Sequence, residues 1–268
     1  NPEKRNPSDF ALWKFSPRGE QRDMEWDTPA DILEGDEPLK GFPGWHLECS
    51  AMAMDKLGET IDIHTGGIDH IPVHHTNEIA QSEAATGKAF ANYWLHNNFL
   101  LVDGTKVSKS LGNTYELKDL AEKGFSPQDF RLFVLQSHYA SESNFTWDNL
   151  LAAKNRLNGY RAMAQMRYQQ QVAIDKVDFS SAYEAILQAM QDDLNSPIAL
   201  QILSDVSNRV QENGIAPEDS ESFETFLVKI DYLLCTELSI EQDITDTQKK
   251  VLMSRQIARD AKDWATSD

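Results

Sequence analysis

The sequence predicts an α/β region of about 114 residues that gives way to an all-helical one. Short runs of strand-forming residues, Thr60-Ile61-Asp62-Ile63-His64 and Tyr93 to Val102, alternate with helical patterns in the first part. Beyond Trp147, apolar residues recur at helical spacing almost to the end. With 268 residues, 40% of them hydrophobic, the chain can bury a substantial core and hold two domains.

Punctuating residues place the elements. Pro43 and Gly58 bracket a helix through Gly44-Trp45-His46-Leu47-Glu48-Cys49-Ser50-Ala51-Met52. The strand Thr60 to His64 feeds Thr65-Gly66-Gly67-Ile68-Asp69-His70. A strand, a Gly-Gly loop and a helix in that order resemble the nucleotide-binding corner of an open α/β sheet. There, Gly66 and Gly67 let a nucleotide approach the backbone and Asp69 accepts from a ribose; an ordinary turn would use the same glycines. The strand Tyr93 to Val102 is closed by an Asp103-Gly104 turn. Leu117 to Lys123 forms a helix ended by Gly124, and Ser126-Pro127 caps and opens the next. Helices then cover Asp148 to Gln171, Phe179 to Met190, and a stretch restarted by Asn195-Ser196-Pro197 that reaches Val210. Asn213-Gly214 and Pro217 to Glu221 mark a loop before two further helices. Asp31 to Leu39 is an inserted surface loop, and no internal repeat is present.

Two groups of residues carry chemistry. In Lys106-Val107-Ser108-Lys109-Ser110, two lysines and two serines follow a strand and suit a polyphosphate clamp. Cys49, His74 and Glu78 offer a thiolate, an imidazole and a carboxylate, all ligands that zinc accepts. His74 and Glu78 are four apart and share a helix face. A buried cysteine and a solvated helical pair satisfy the same spacing. Cys235, in Tyr232-Leu233-Leu234-Cys235, reads as helix core, and Asp192-Asp193-Leu194-Asn195-Ser196-Pro197 as a capped helix junction rather than a metal loop.

Composition narrows the classes. No apolar run approaches the roughly 18 residues of a membrane span, and two cysteines give no disulfide framework. A cytoplasmic protein is expected. The net charge of −18 argues against a broadly basic nucleic-acid surface. A local stripe from Lys106, Lys109, Lys154, Arg156, Arg161 and Arg167 is the expected exception.

With Gly41 before it, the Phe42 to Met52 segment resembles the zinc-cysteine segment of the cysteinyl-tRNA synthetases, class I aminoacyl-tRNA ligases. Gly66-Gly67-Ile68-Asp69-His70, continuing through His74-His75-Thr76-Asn77-Glu78-Ile79-Ala80-Gln81-Ser82-Glu83, resembles that family's adenosine and zinc segment. Lys106 to Ser110 resembles its Lys-Met-Ser-Lys-Ser signature, with Val107 in place of methionine. The likeness runs in the family's order from Asp9-Phe10-Ala11-Leu12-Trp13-Lys14 almost to the end. Thr76 stands where the family usually has glutamate.

The resemblance implies an internal piece: the second half of a Rossmann-like catalytic domain, followed by an all-α helical bundle. The family's upstream zinc cysteine and His-Ile-Gly-His signature are not in this sequence, and Lys262 to Asp268 lies in a helix that the family continues. The implied domains are 1–114 for the catalytic remainder, 115–147 for a helical connecting region and 148–268 for a tRNA-binding-type bundle. It also implies one Zn²⁺ held by Cys49, His74 and Glu78, and ATP with Mg²⁺ as substrate. Gly66, Gly67, Asp69 and Lys109 would bind ATP, Lys106 and Lys109 would act in catalysis, and Trp45 would wall the cysteine pocket. The partners are L-cysteine and tRNA(Cys), on a monomer. His46, His64, His70 and His75 read as packing or as supports behind the ligands. Three other readings stay open: a class I cysteine–amino-sugar ligase, a non-catalytic tRNA- or zinc-binding fragment, and a small zinc-dependent structural domain.

Overall fold

A computed structural model describes residues 4–19, 22–33, 35, 38–169 and 176–267, the side chain of Lys109 excepted. The fold is mixed α/β, and its contacts divide it into two units, residues 1–99 and 100–268.

In the first unit, β1 (Trp13–Phe15), β2 (Trp26–Asp27) and β3 (Lys40–Pro43) form an antiparallel sheet in the order β1-β3-β2. Helix α1 (Trp45–Leu57) starts at Gly44 and stops at Gly58, as the punctuation predicts. Strand β4 (Ile61–Gly67) is followed by the short turns Ile68–His70 and Ile71–His75, by α2 (Thr76–Thr86), and by β5 (Ala91–Asn97). β4 and β5 pair in parallel, a βαβ unit with α2 in the crossover. Gly66 and Gly67 are thus not a loop: they end β4 and pair with His96 and Asn97. The predicted insertion at Asp31 to Leu39 lies partly outside the described residues; the 3₁₀ turn Ala30–Ile32 overlaps its start.

The predicted strand Tyr93 to Val102 is two strands in different sheets. At the break, the Asn98 side chain accepts from the Phe99 N–H at 2.8 Å, and Asn97 Nδ2 donates to Asn98 O. Such local amide bonds compete with a continuing ladder.

The second unit begins with β6 (Leu100–Val102), which pairs antiparallel with β7 (Thr105–Lys106). Asp103 and Gly104 turn the hairpin at φ values of 50° and 71°. Helix α3 (Leu117–Glu122) and α4 (Pro127–Leu135) follow, the latter capped by Ser126 accepting from the Asp129 N–H. β8 (Ser143–Phe145) adds to β6 in parallel. The bundle comprises α5 (Trp147–Gln165), α6 (Phe179–Gln191), α7 (Ser196–Asn213) and α8 (Ser220–Leu234), with α9 (Asp246–Asp260) and α10 (Trp264–Ser267) beyond. The expected continuation of α5 to Gln171 is instead a 3₁₀ turn at Met166–Tyr168, and residues 170–175 lie outside the described set. Of the predicted loop Pro217 to Glu221, the first three residues form a 3₁₀ turn and the rest opens α8.

The bundle core is a continuous apolar cluster that includes Leu157, Met163, Ile186, Leu203, Phe223 and Leu227. Burying side chains of this size contributes about 1.5–3 kcal/mol each. Cys235 is not part of it. It is exposed and ends α8 with a left-handed φ of 53°. Beyond it the Asp231 carboxylate collects the N–H groups of Leu238 and Ser239 and the Thr236 hydroxyl, which reverses the chain and leaves Cys235 on the outside.

Candidate functional site

In the first unit, α1 and α2 bring together what the sequence separates. Trp45, His46, Cys49 and Ser50 stand on α1; His74 and His75 lie in the turn before α2, and Glu78 and Gln81 on α2 itself. One ligand atom each from Cys49, His74 and Glu78 lies within 4.8 Å of the others. His74 is 6% exposed and Glu78 1%. The predicted i,i+4 relation holds across a turn that is π-type rather than α: His74 Nε2 lies 3.7 Å from Glu78 Oε2.

Polar neighbours fix both side chains. His74 Nδ1 lies 2.7 Å from His46 Nδ1, which leaves Nε2 facing Glu78. Glu78 Oε2 is 2.8 Å from His64 Nε2, whereas Glu78 Oε1 is buried without a hydrogen-bond partner. A buried, unpartnered carboxylate oxygen is costly unless a cation meets it. Gln81 Nε2 donates to His46 O at 2.5 Å and to Ser50 Oγ at 2.6 Å, tying α2 to α1 beside Cys49.

Behind the triad lies a layer of imidazoles. His75 Nδ1 meets His96 Nε2 at 2.8 Å, and His64, His75 and Glu78 also gather ligand atoms within 4.8 Å. This second set shares Glu78 and belongs to the same site. His96 escapes the sequence reading, although alternation along β5 puts it on the face of Trp94. Gly66 is required here: an added Cβ would stand 2.6 Å from His75 Cε1 and 2.9 Å from His70 Nδ1. Gly67 faces the Asp69 carboxylate, which an added Cβ would meet at 2.4 Å. Asp69 itself is exposed. Trp45, 57% exposed, lies against His74 with ring centroids 4.3 Å apart.

Burial sets the protonation states. It pushes the Cys49 thiol up, and the carboxylates of Glu78 and Glu48 add to that, so the metal-free thiol is protonated at neutral pH. Burial holds His46 and His74 below the ordinary imidazole range against the raising effect of Glu78, and it lowers His75 to about 4, where the neighbouring imidazoles add to it. Neutral imidazoles keep the lone pairs that metal ligation needs.

The second unit carries the lysine loop. Lys106 ends β7, Val107 and Ser108 follow, and Lys109–Leu111 forms a 3₁₀ turn. Ser108 Oγ and Ser110 Oγ lie 2.8 Å apart. Val107 is 41% exposed and borders an apolar cavity of about 580 Å³ lined by Leu100, Val102, Tyr115, Leu120 and Phe145. Asn113, which the sequence reading passes over, bonds to this loop at three points.

The expected basic stripe is largely used internally. Arg156 binds Tyr160, Ser204 and Leu200 O, and Lys154 donates to Gly124 O. Arg161 pairs with Glu241, and Arg167, 4% exposed, pairs with Glu224 and donates to Glu241 O. These cations brace the bundle. No helix among the described residues is long and apolar enough to cross a membrane.

A family profile described as the catalytic domain of class I (C) tRNA synthetases matches residues 1–155. The chain belongs to that family. The cysteine–tRNA ligase of Chlamydia felis is 40% identical over 279 residues, covering 99% of this chain and 56% of that protein. Cysteine–tRNA ligase 1 of Burkholderia lata is 41% identical over 266 residues, covering 99% and 53%. The chain therefore spans about half the length of the curated relatives it matches. The fold is similar to a solved ternary complex of Agrobacterium radiobacter K84 agnB2 LeuRS with tRNA and LeuAMS, with a TM-score of 0.57 over 80% of this chain and 32% of that one. At 13% identity this likeness speaks for the fold alone.

Proposed function

We propose that the chain is part of a cysteine–tRNA ligase, carrying the metal site and lysine loop of an enzyme that activates L-cysteine with ATP and transfers it to tRNA(Cys). One observation carries this reading. Cys49, His74 and Glu78, distant in sequence, converge in a triad in which His74 and Glu78 are buried, Cys49 is half-buried and one Glu78 oxygen has no partner. Thiolate, imidazole and carboxylate form a donor set that suits zinc, and a catalytic site keeps one position open. For His74 Nε2 to offer its lone pair, the proton sits on Nδ1 and is donated to His46. When bound, zinc supplies a bond to a thiolate sulfur that a serine hydroxyl does not match. Packing alone separates such near-isosteres by only about 10- to 200-fold.

In the first step, an oxygen of the cysteine carboxylate attacks the α-phosphorus of ATP, and the bond to the departing pyrophosphate breaks. In the second, the terminal ribose hydroxyl of the tRNA attacks the carbonyl carbon and AMP leaves. Positioning and charge stabilisation carry such displacements. Lys106 and Lys109 meet the negative charge of the phosphates, which Mg²⁺ accompanies. Gly66, Gly67 and Asp69 hold the adenosine, and Trp45 walls the cysteine pocket. The enzyme works as a monomer in the cytoplasm.

Residues 1–114 serve as the second half of the Rossmann-like catalytic domain, 115–147 as the connecting region and 148–268 as the tRNA-binding-type bundle. The exposure of the β4–β5 pair supports the first assignment. Ile63 is 62% exposed and Tyr93 72%, whereas parallel strands are ordinarily covered on both faces. Further polypeptide completes that sheet and supplies the remaining zinc ligand. Cysteine-dependent ATP–pyrophosphate exchange tests the reading. A full-length polypeptide carrying this segment should exchange, and the 268-residue chain alone should not. Robust exchange by the chain alone, or exchange independent of cysteine, would contradict it.

A further inference from the structure

We propose that Asn113 is the positioning residue of the lysine loop, its amide holding Thr105 to Ser108 in the shape that presents Lys106 and Lys109 to the polyphosphate. The inference rests on the ligase reading above and assigns a part of the site outside the lysine signature itself.

Three bonds carry it. Asn113 Oδ1 accepts from the Ser108 N–H at 2.8 Å. Its Nδ2 donates to Thr105 Oγ1 at 3.1 Å and to Lys106 O at 3.1 Å. One side chain thus spans the whole entry to the loop and engages it at both ends. Thr105 Oγ1 in turn donates to Val102 O at 2.9 Å, anchoring the clamp to β6. Gly112, at a φ of +64°, makes the left-handed turn that brings Asn113 back under the loop. The Leu111 N–H bond to Ser108 O closes the intervening 3₁₀ turn.

The chemistry of the amide matters. Only a carboxamide offers an acceptor to an N–H and two donors to oxygens from one planar group, and asparagine does so on a short, stiff stem. Aspartate keeps the acceptor and loses both donors. None of the three bonds involves a lysine ammonium, so the clamp acts on the shape of the loop backbone. A loop that must place two ammonium groups against a developing charge loses rate when its geometry relaxes by even an ångström, on the order of 10²-fold in severe cases.

The test uses the full-length polypeptide and single-turnover cysteinyl-adenylate formation. Asn113→Ala should slow the step about 10- to 100-fold, with cysteine half-saturation and zinc content unchanged. Asn113→Asp, which retains the Ser108 bond, should fall between this variant and the unaltered enzyme. In a Lys109→Ala background the further loss from Asn113→Ala should shrink, because the two changes share the Lys109 contribution and only that of Lys106 remains to be lost. Amide hydrogen exchange at Thr105 to Ser108 should quicken in Asn113→Ala, a readout that requires no catalysis. Effects of Asn113→Ala and Lys109→Ala that multiply in full, or an unchanged rate beside quickened exchange, would overturn the proposal. If Asn113→Ala does not fold, the same criteria apply to Asn113→Asp. Absence of cysteine-dependent adenylate formation in the unaltered polypeptide would overturn the ligase reading and the catalytic role with it. Unquickened exchange would overturn the clamp itself.

Discussion

His64 Nε2 and Glu78 Oε2 lie 2.8 Å apart in a site where Glu78 is 1% exposed and its other oxygen is unpartnered. The imidazole fixes which oxygen is spent inside the protein and which remains for a cation. His64→Leu should therefore weaken zinc binding about 10- to 100-fold, the usual cost of losing a partner behind a ligand. Chelator competition measures it, and an unchanged affinity would show that Glu78 does not depend on His64.

Gln81 makes a second claim on the same site. Its amide joins α2 to Ser50 and to His46 O on α1, and Ser50 is fully buried. Gln81→Leu removes the donor to the buried Ser50 hydroxyl, at a cost of about 1–3 kcal/mol for an unsatisfied buried group, and cuts the tie to His46 O. The denaturation midpoint of the first unit should fall, with a loss of zinc affinity. A variant with wild-type midpoint and affinity would remove Gln81 as the brace between the helices.

Lys109→Ala bears on catalysis. With the lysine assigned to charge that develops in the transition state, adenylate formation should slow by about 10²–10³, with cysteine binding almost unchanged. Unaltered single-turnover kinetics would take Lys109 out of the mechanism.

The helical bundle carries its own pH signature. Burial raises the Tyr160 hydroxyl above its ordinary range, against the lowering effect of its contacts with Ser204 and Arg156. The folded state thus holds this proton more tightly than the unfolded one. Its contribution to stability is fully present below about pH 10 and is lost as pH rises through the folded value. Tyr160→Phe should flatten the fall of the melting temperature in that alkaline window; a fall as steep as in the unaltered protein would contradict the assignment.

Much of the helical framework was legible because local chemistry decides it. Gly44 and Gly58 bound α1, Ser126 caps α4, and Asn195 caps α7, each through groups within a few residues. The metal candidates were legible as residue types, and the helical spacing of His74 and Glu78 survives even a π-type turn. What was hidden depends on contacts between distant segments. The His46–His74 pair, the Gln81 brace and the Asn113 clamp are defined by three-dimensional neighbours, not by a period. The same reason explains the errors. Gly66 and Gly67 look like a loop until the imidazoles of His70 and His75 are seen packed against Gly66. Cys235 follows an apolar run, yet Asp231 captures the chain beyond it and turns it outward. Arg156 and Arg167 look like free cations in a linear sequence and are spent inside the bundle.

Zinc content and amino-acid selection, measured together in the full-length polypeptide and in its Cys49→Ala variant, decide whether Cys49 holds a zinc ion that selects cysteine. One zinc per unaltered chain is expected, with cysteine-dependent pyrophosphate exchange from which serine is strongly excluded, and both zinc and that selectivity should be lost on replacing Cys49. A Cys49→Ala variant that keeps its full zinc content and still discriminates cysteine from serine would contradict that expectation.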